Sequence, residues 1–179
     1  MSSATEEELM QRICAGDKSA YGRILDLHLP SVSRYVVRMT GTSNEAEDIT
    51  QDVFLRLWTH AARYDPRKAR LTTWLHNIAH NLCIDHFRRQ GRITYEGNED
   101  ETPGGSEPDT VFYEENRGQM IKQALMAIPE RQRSAIVMCH YQGLTNKEAA
   151  STMNISVEAL ESLLARGRRS LKKLLEQHE

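Results

Sequence analysis

The sequence predicts an all-α protein: two small helical domains joined by a flexible acidic linker, the second a four-helix, helix-turn-helix domain. Three observations predict it. Apolar residues recur at helical spacing along most of the chain, and no segment alternates as a strand would. Helix-opening residues (Asp17, Thr42, Thr145, Ser156) and helix-closing glycines (Gly41, Gly143) punctuate those runs. Residues 91–110, GRITYEGNEDETPGGSEPDT, are rich in Gly, Pro and acid, a composition that cannot bury enough surface to offset its ordering entropy. The expected division is therefore 1–90, linker 91–110, and 111–179.

In the first domain, Asp17 is expected to cap a helix carrying Tyr21, Ile24, Leu25 and His28 on one face. Pro30 suits a first helical turn and is expected to open a new helix through Val32, Val36 and Met39, which Gly41 ends. Thr42 and Glu45 have the spacing of a capping box for a helix over about 44–62. Asp65-Pro66 marks a turn. A long helix over 70–89 follows, with Leu71, Trp74, Leu75, Ile78 and Leu82 in one stripe.

In the second domain, Val111, Met120, Ile121, Leu125 and Ile128 suggest a helix closed by Pro129. A second helix runs over 130–142 to Gly143. Thr145 and Glu148 form another capping-box pattern, opening a short helix through Ala149, Ala150 and Met153, and Ser156 opens a last helix reaching about 176.

No apolar run approaches the roughly 20 residues needed to cross a bilayer. The acidic N-terminus has no apolar stretch, so a secretory signal is not expected. Cys14, Cys83 and Cys139 are too few and too scattered for a disulfide framework, which points to a cytoplasmic protein. The net charge of −2 argues against a nucleic-acid partner until the chain is divided. Residues 1–90 hold 12 basic against 11 acidic side chains, 91–110 one against six, and 111–179 ten against eight. The acidity lies in the linker, while basic residues cluster at Arg63–Arg70, Arg88–Arg92 and Arg166–Lys173. Local clusters govern phosphate binding, because salt screens charges beyond about 10 Å.

Three segments carry recognition chemistry. A short helix, a tight turn and a longer helix over 145–176 make a helix-turn-helix, with small Ala149 and Ala150 allowing close crossing. The last helix has Val157, Leu160, Leu164, Gly167, Leu171 and Leu175 on one face and Glu158, Ser162, Ala165, Arg166, Arg169 and Lys173 on the other. An apolar back with a polar-to-basic front suits a major groove, where Arg reaches guanine edges and Lys or Arg reaches phosphates. Over 46–58, Ile49, Val53 and Leu57 form a core face, and Asp48, Gln51, Asp52 and Leu55 form a second face suited to a protein partner or to solvent. Over 63–89, Arg63, Arg67, Lys68, Arg70, Arg88 and Arg89 bracket aromatic residues, a pattern that fits melted DNA.

His76, His80, Cys83 and His86 fall at i, i+4, i+7 and i+10 of one helix, the first three on the side away from the apolar stripe. Their donors would suit zinc, but His76 and Cys83 stand about 10 Å apart along the axis. Histidines facing solvent or DNA are the expectation, with no metal and no cofactor. No Gly-rich phosphate loop, GxSxG or HExxH occurs, so no enzyme is expected. On these residues alone, two other readings stand open: an independent dimeric operator-binding regulator, and a metal- or redox-sensing protein built on the His/Cys helix.

Taken in order, the segments EAEDITQDVFLRLW, TTWLHNIAHNLCIDHFRR and ALMAIPERQRSAIVMCHYQGLTNKEAASTMNISVEALESLLARGRRSLKKLL resemble the extracytoplasmic-function sigma factors of the bacterial sigma-70 family. The resemblance covers roughly 10–90 and 111–176. It implies a protein that directs core RNA polymerase to promoters, touching the β′ coiled coil and the β flap, and that an anti-sigma factor holds inactive. It implies polymerase docking by Asp48, Gln51, Asp52 and Leu55. It implies −10 element contacts by Arg63, Arg67, Lys68, Arg70, Asn77, Asn81, Arg88 and Arg89. It implies −35 element contacts by Thr145, Lys147, Glu158, Ser162, Arg166, Arg169 and Lys173. Membrane insertion is not implied.

Overall fold

The structure is a computed structural model and describes residues 4–91 and 115–177. Among these residues all regular structure is helical. The linker reading falls outside them except for Gly91, as does Val111.

Helix α1 (Glu6–Cys14) starts at a complete capping box: Thr5 Oγ1 accepts from the Glu8 N–H at 3.2 Å, and the Glu8 carboxylate accepts from the Thr5 N–H at 2.8 Å. It buries Leu9, Met10 and Ile13, and Glu6 Oε1 lies 2.6 Å from His28 Nε2, which ties α1 to the next helix. Asp17 caps α2 (Lys18–Thr40), accepting from the N–H groups of Ser19 and Ala20 as the sequence predicts. Arg12 also pairs with it at 2.7 Å.

Pro30 does not open a helix. It lies inside α2, which runs unbroken for 23 residues. Proline removes one backbone hydrogen bond and costs about 3 kcal/mol in a helix interior. The continuous buried face of Ala20, Ile24, His28, Val32, Tyr35, Val36 and Met39 offsets that cost. Gly41 ends α2 with φ 80°, its N–H donating to the Val37 carbonyl at 2.8 Å.

Helix α3 (Ser43–His60) begins without the expected capping box. The Thr42 hydroxyl donates to the Glu45 carboxylate at 2.9 Å and accepts no backbone N–H. A 3₁₀ turn (Ala61–Arg63) continues it, and α4 (Leu71–Arg89) follows the basic loop. Ile49, Val53 and Leu57 are core as expected, joined by Phe54.

In the C-terminal half come α5 (Glu115–Ala127), α6 (Glu130–Ile136), α7 (Asn146–Met153) and α8 (Val157–Glu176). The single helix expected over 130–142 is α-helical only to Ile136; Val137–Tyr141 widens into a π turn before Gly143, whose φ is 68°. The helix-turn-helix has its expected form. Asn154, with φ 55°, turns the chain between α7 and α8. Ala149 and Ala150 are buried at the crossing. A Cβ at Gly167 would lie 2.6 Å from Ile136 Cδ1, so α8 presses its backbone onto α6.

The two halves share one continuous core rather than standing apart at a variable geometry. Met126 of α5 packs on Gly41, Ser134 of α6 touches Met39 Sδ at 3.9 Å, and the Arg133 guanidinium lies 5.6 Å from the Phe87 ring centre. Helix α4 is thereby enclosed from two directions, by α2 and α3 on one side and by the C-terminal helices on the other.

Candidate nucleic-acid interface

The last helix has the two-faced build the sequence predicts. Ser156 Oγ accepts from the Ala159 N–H at 3.1 Å and fixes its start. Leu160, Leu164 and Gly167 are buried, with Leu163 added to that back face. Glu158, Ser162, Ala165, Arg169 and Lys173 are exposed on the front, and Arg166 is half-buried. At the head of α7, Thr145 and Glu148 complete the predicted capping box, 3.2 Å and 2.8 Å apart in its two bonds, with Lys147 exposed beside it.

The basic loop and α4 place their side chains unevenly. Arg63, Lys68, Asn81, Arg88 and Arg89 are exposed. Arg67 is exposed but folds back on Asp65, whose carboxylate takes two side-chain bonds at 3.1 Å. Arg70 and Asn77 reach across to the C-terminal half. Arg70 Nε and Nη2 donate to the two carboxylate oxygens of Glu148 at 2.8 and 3.0 Å, and Thr73 adds a third bond at 3.1 Å. Led by the Arg70 bonds, these interactions hold the Glu148 carboxyl down at about 2. Asn77 Nδ2 donates to the Thr152 carbonyl at 3.5 Å. The sequence signals no role for Thr73 or Gln142, and for Glu148 only its local one in the capping box.

The His/Cys face of α4 overturns an expectation. His76, His80 and Cys83 face neither solvent nor DNA; they are buried, at 1%, 7% and 0% exposure. His76 Nε2 lies 3.3 Å from Gln142 Oε1, and its Nδ1 lies 2.7 Å from the Thr72 carbonyl. His80 Nδ1 meets the Tyr35 hydroxyl at 3.1 Å. Helical spacing located the apolar stripe, but Tyr35 of α2 and Gln142 of the second half cover the histidine side as well. Burial lowers the basicity of both histidines, His80 to about 4, and pushes the Cys83 thiol up to about 12. Such a thiol is inert rather than redox-poised. Among the described residues no three His, Cys, Asp or Glu side chains come together as a metal site.

Trp74 is only partly in the core, tilted against Tyr64 with ring centres 5.5 Å apart. On α3, Asp48, Gln51, Asp52 and Leu55 are all exposed, Leu55 at 58%. No helix among the described residues is long and apolar enough to cross a membrane.

Comparison with known proteins bears on these surfaces. The family models described as Sigma-70 region 2 and Sigma-70, region 4 match residues 24–93 and 118–171. The ECF RNA polymerase sigma factor SigE of Mycolicibacterium smegmatis is 31% identical over 170 residues, covering 91% of this chain and 65% of that protein. SigW of Bacillus subtilis, another ECF RNA polymerase sigma factor, is 28% identical over 177 residues, 93% of this chain and 94% of its own. In fold, the chain is similar to CnrH solved with the cytosolic domain of CnrY (TM-score 0.72, 22% identity, 96% of this chain and 97% of that one). It is also similar to Bartonella quintana RpoE solved with the anti-sigma factor NepR (TM-score 0.68, 22% identity, 87% and 96%).

Proposed function

Because this chain belongs to the extracytoplasmic-function branch of the sigma-70 family, we propose that it directs core RNA polymerase to promoters, working in the cytoplasm under the control of an anti-sigma factor. Its task is to bind and position, leaving bond formation to the polymerase. Residues 1–90 dock on the β′ coiled coil through Asp48, Gln51, Asp52 and Leu55, and open the −10 element through Arg63, Arg67, Lys68, Arg70, Asn77, Asn81, Arg88 and Arg89. Residues 111–179 hold the −35 duplex through Thr145, Lys147, Glu158, Ser162, Arg166, Arg169 and Lys173, near the β flap. The acidic 91–110 segment joins the two.

The observation that carries this reading is the front of α8. A helix fixed by Ser156 and backed by buried leucines presents Glu158, Ser162, Arg169 and Lys173 on one open face. This is the layout by which a recognition helix meets base edges and phosphates together. Phosphate contacts make such binding salt-dependent, and affinity should fall steeply as salt rises.

Transcription from a promoter library with purified core polymerase tests the proposal. Specific transcripts only when both proteins are present support it. Tight, dimeric binding to operator duplex by this chain alone, with no stimulation of core polymerase, would replace it with an independent regulator.

A further inference from the structure

Arg70 and Thr73 stand at the opening of α4, as its N-cap residue and its third helical residue. Backbone N–H groups there lack intrahelical acceptors, and the helix dipole favours negative charge. The position already holds an anion, supplied from 78 residues away. Glu148 sets its two oxygens 2.8 and 3.0 Å from the Arg70 guanidinium nitrogens, and Thr73 donates to the nearer oxygen at 3.1 Å. A carboxylate forked onto a guanidinium reproduces the two-point geometry that arginine offers a phosphodiester.

The geometry points to a phosphate site that the protein fills by itself: in the closed chain, Glu148 holds the place that a backbone phosphate of melted DNA takes at Arg70 and Thr73. Nucleic acid at this site and the α4–α7 contact then exclude each other. The inference rests on the proposed role of Arg70 in −10 binding.

Four features favour it. The Glu148 carboxyl, at about 2, stays ionised throughout the neutral range. Its capping-box bond to the Thr145 N–H at 2.8 Å holds it in place, so the stand-in anion is preorganised. The Arg70 side chain is 60% exposed, which keeps the ion pair weak enough to be exchanged. Asn77, a second proposed −10 residue, is engaged by the same short helix through the Thr152 carbonyl.

The test uses the full chain and a dye-labelled, mixed-sequence single-stranded 12-mer oligodeoxynucleotide. Closure is read by energy transfer between dyes on Asp26→Cys and Ser151→Cys, both exposed, in a Cys14→Ser, Cys139→Ser background. Glu148→Gln removes the charge yet keeps the capping box, which accepts Gln. The expected result is lower energy transfer in the free protein and about twofold to fivefold tighter oligonucleotide binding, the scale of one exposed ion pair. Arg70→Ala is expected to lower the energy transfer too, while weakening the oligonucleotide. If Glu148→Gln leaves the affinity at the wild-type value, whether or not the energy transfer falls, the competition is refuted while the −10 assignment survives. If Arg70→Ala leaves the affinity unchanged, the −10 role of Arg70 fails and the phosphate site fails with it.

Discussion

Helices α3 and α4 are neighbours of similar length, and both carry residues proposed to contact partners, yet they hold them in opposite ways. On α3 the apolar and polar faces are cleanly divided: Ile49, Val53 and Leu57 are buried, while Asp48, Gln51, Asp52 and Leu55 stand open. On α4 the side opposite the apolar stripe is covered by Tyr35 of α2 together with the C-terminal half, and Arg70 and Asn77 have partners in that half. If both are partner surfaces as proposed, one small domain holds a permanent one on α3 and a conditional one on α4. The α3 patch is presented whatever the C-terminal half does; the α4 surface depends on where that half lies.

The largest expected effect tests the division of α3. Leu57 and Leu55 are two residues apart, fully buried and 58% exposed respectively. Leu57→Ala should lower unfolding stability by about 2–5 kcal/mol in chemical denaturation, the usual loss for a truncated core leucine. A change below about 1 kcal/mol would mean that this face is not core.

Acid should act on α4 and spare α3. Above pH 6.5 buried His76 and His80 are neutral in both folded and unfolded chains, so they cost nothing. As pH falls below 6.5 the unfolded chain takes up protons that folded His80 refuses until about 4. His80 alone should therefore lower stability by roughly 1.4 kcal/mol per pH unit, to about 3 kcal/mol at pH 4, and His76 acts in the same direction. The Glu148 contribution is present above its ordinary value of 4.5 and is lost as pH falls toward 2, so it begins to fail where the histidine effect ends. Denaturation at pH 7.5 and 4.5 measures this, and His80→Phe should flatten the profile.

A contact on the α8 front should be smaller. Arg169→Ala is expected to weaken −35 duplex binding in the holoenzyme by about 1–3 kcal/mol, read by a binding titration, with unfolding stability unchanged. Leu55→Ala should likewise change unfolding stability by no more than about 0.5 kcal/mol, since an exposed side chain leaves no cavity. Its affinity for core polymerase should nonetheless drop several-fold; equal affinity would remove Leu55 from the docking face.

The same contrast explains what could be read from sequence. Caps and turns are local chemistry, so Asp17, Gly41, the Thr145–Glu148 box and Ser156 were legible residue by residue. The core face of α3 and the two faces of α8 followed from 3.6-residue periodicity. Pro30 misled because its local cost is outweighed by distant packing along α2. The histidines of α4 misled because periodicity reports one buried stripe, whereas a helix enclosed from two sides has none that stands out. The second duty of Glu148 had no local signature at all.

Gly167 has a consequence for aim. A single methyl group there would meet Ile136 Cδ1 at 2.6 Å, so either that side chain turns aside or α8 moves off α6. The start of α8 lies ten residues from that contact, about 15 Å along the axis. A tilt of roughly ten degrees would swing that tip by about 2.6 Å, most of the ~3.4 Å step between stacked bases. The aim of this lever arm therefore depends on how closely α8 can sit on α6 at Gly167. If α8 tilts, Gly167→Ala weakens duplex binding in a binding titration with the front residues of α8 chemically intact; if Ile136 turns aside, the affinity stays at the wild-type value.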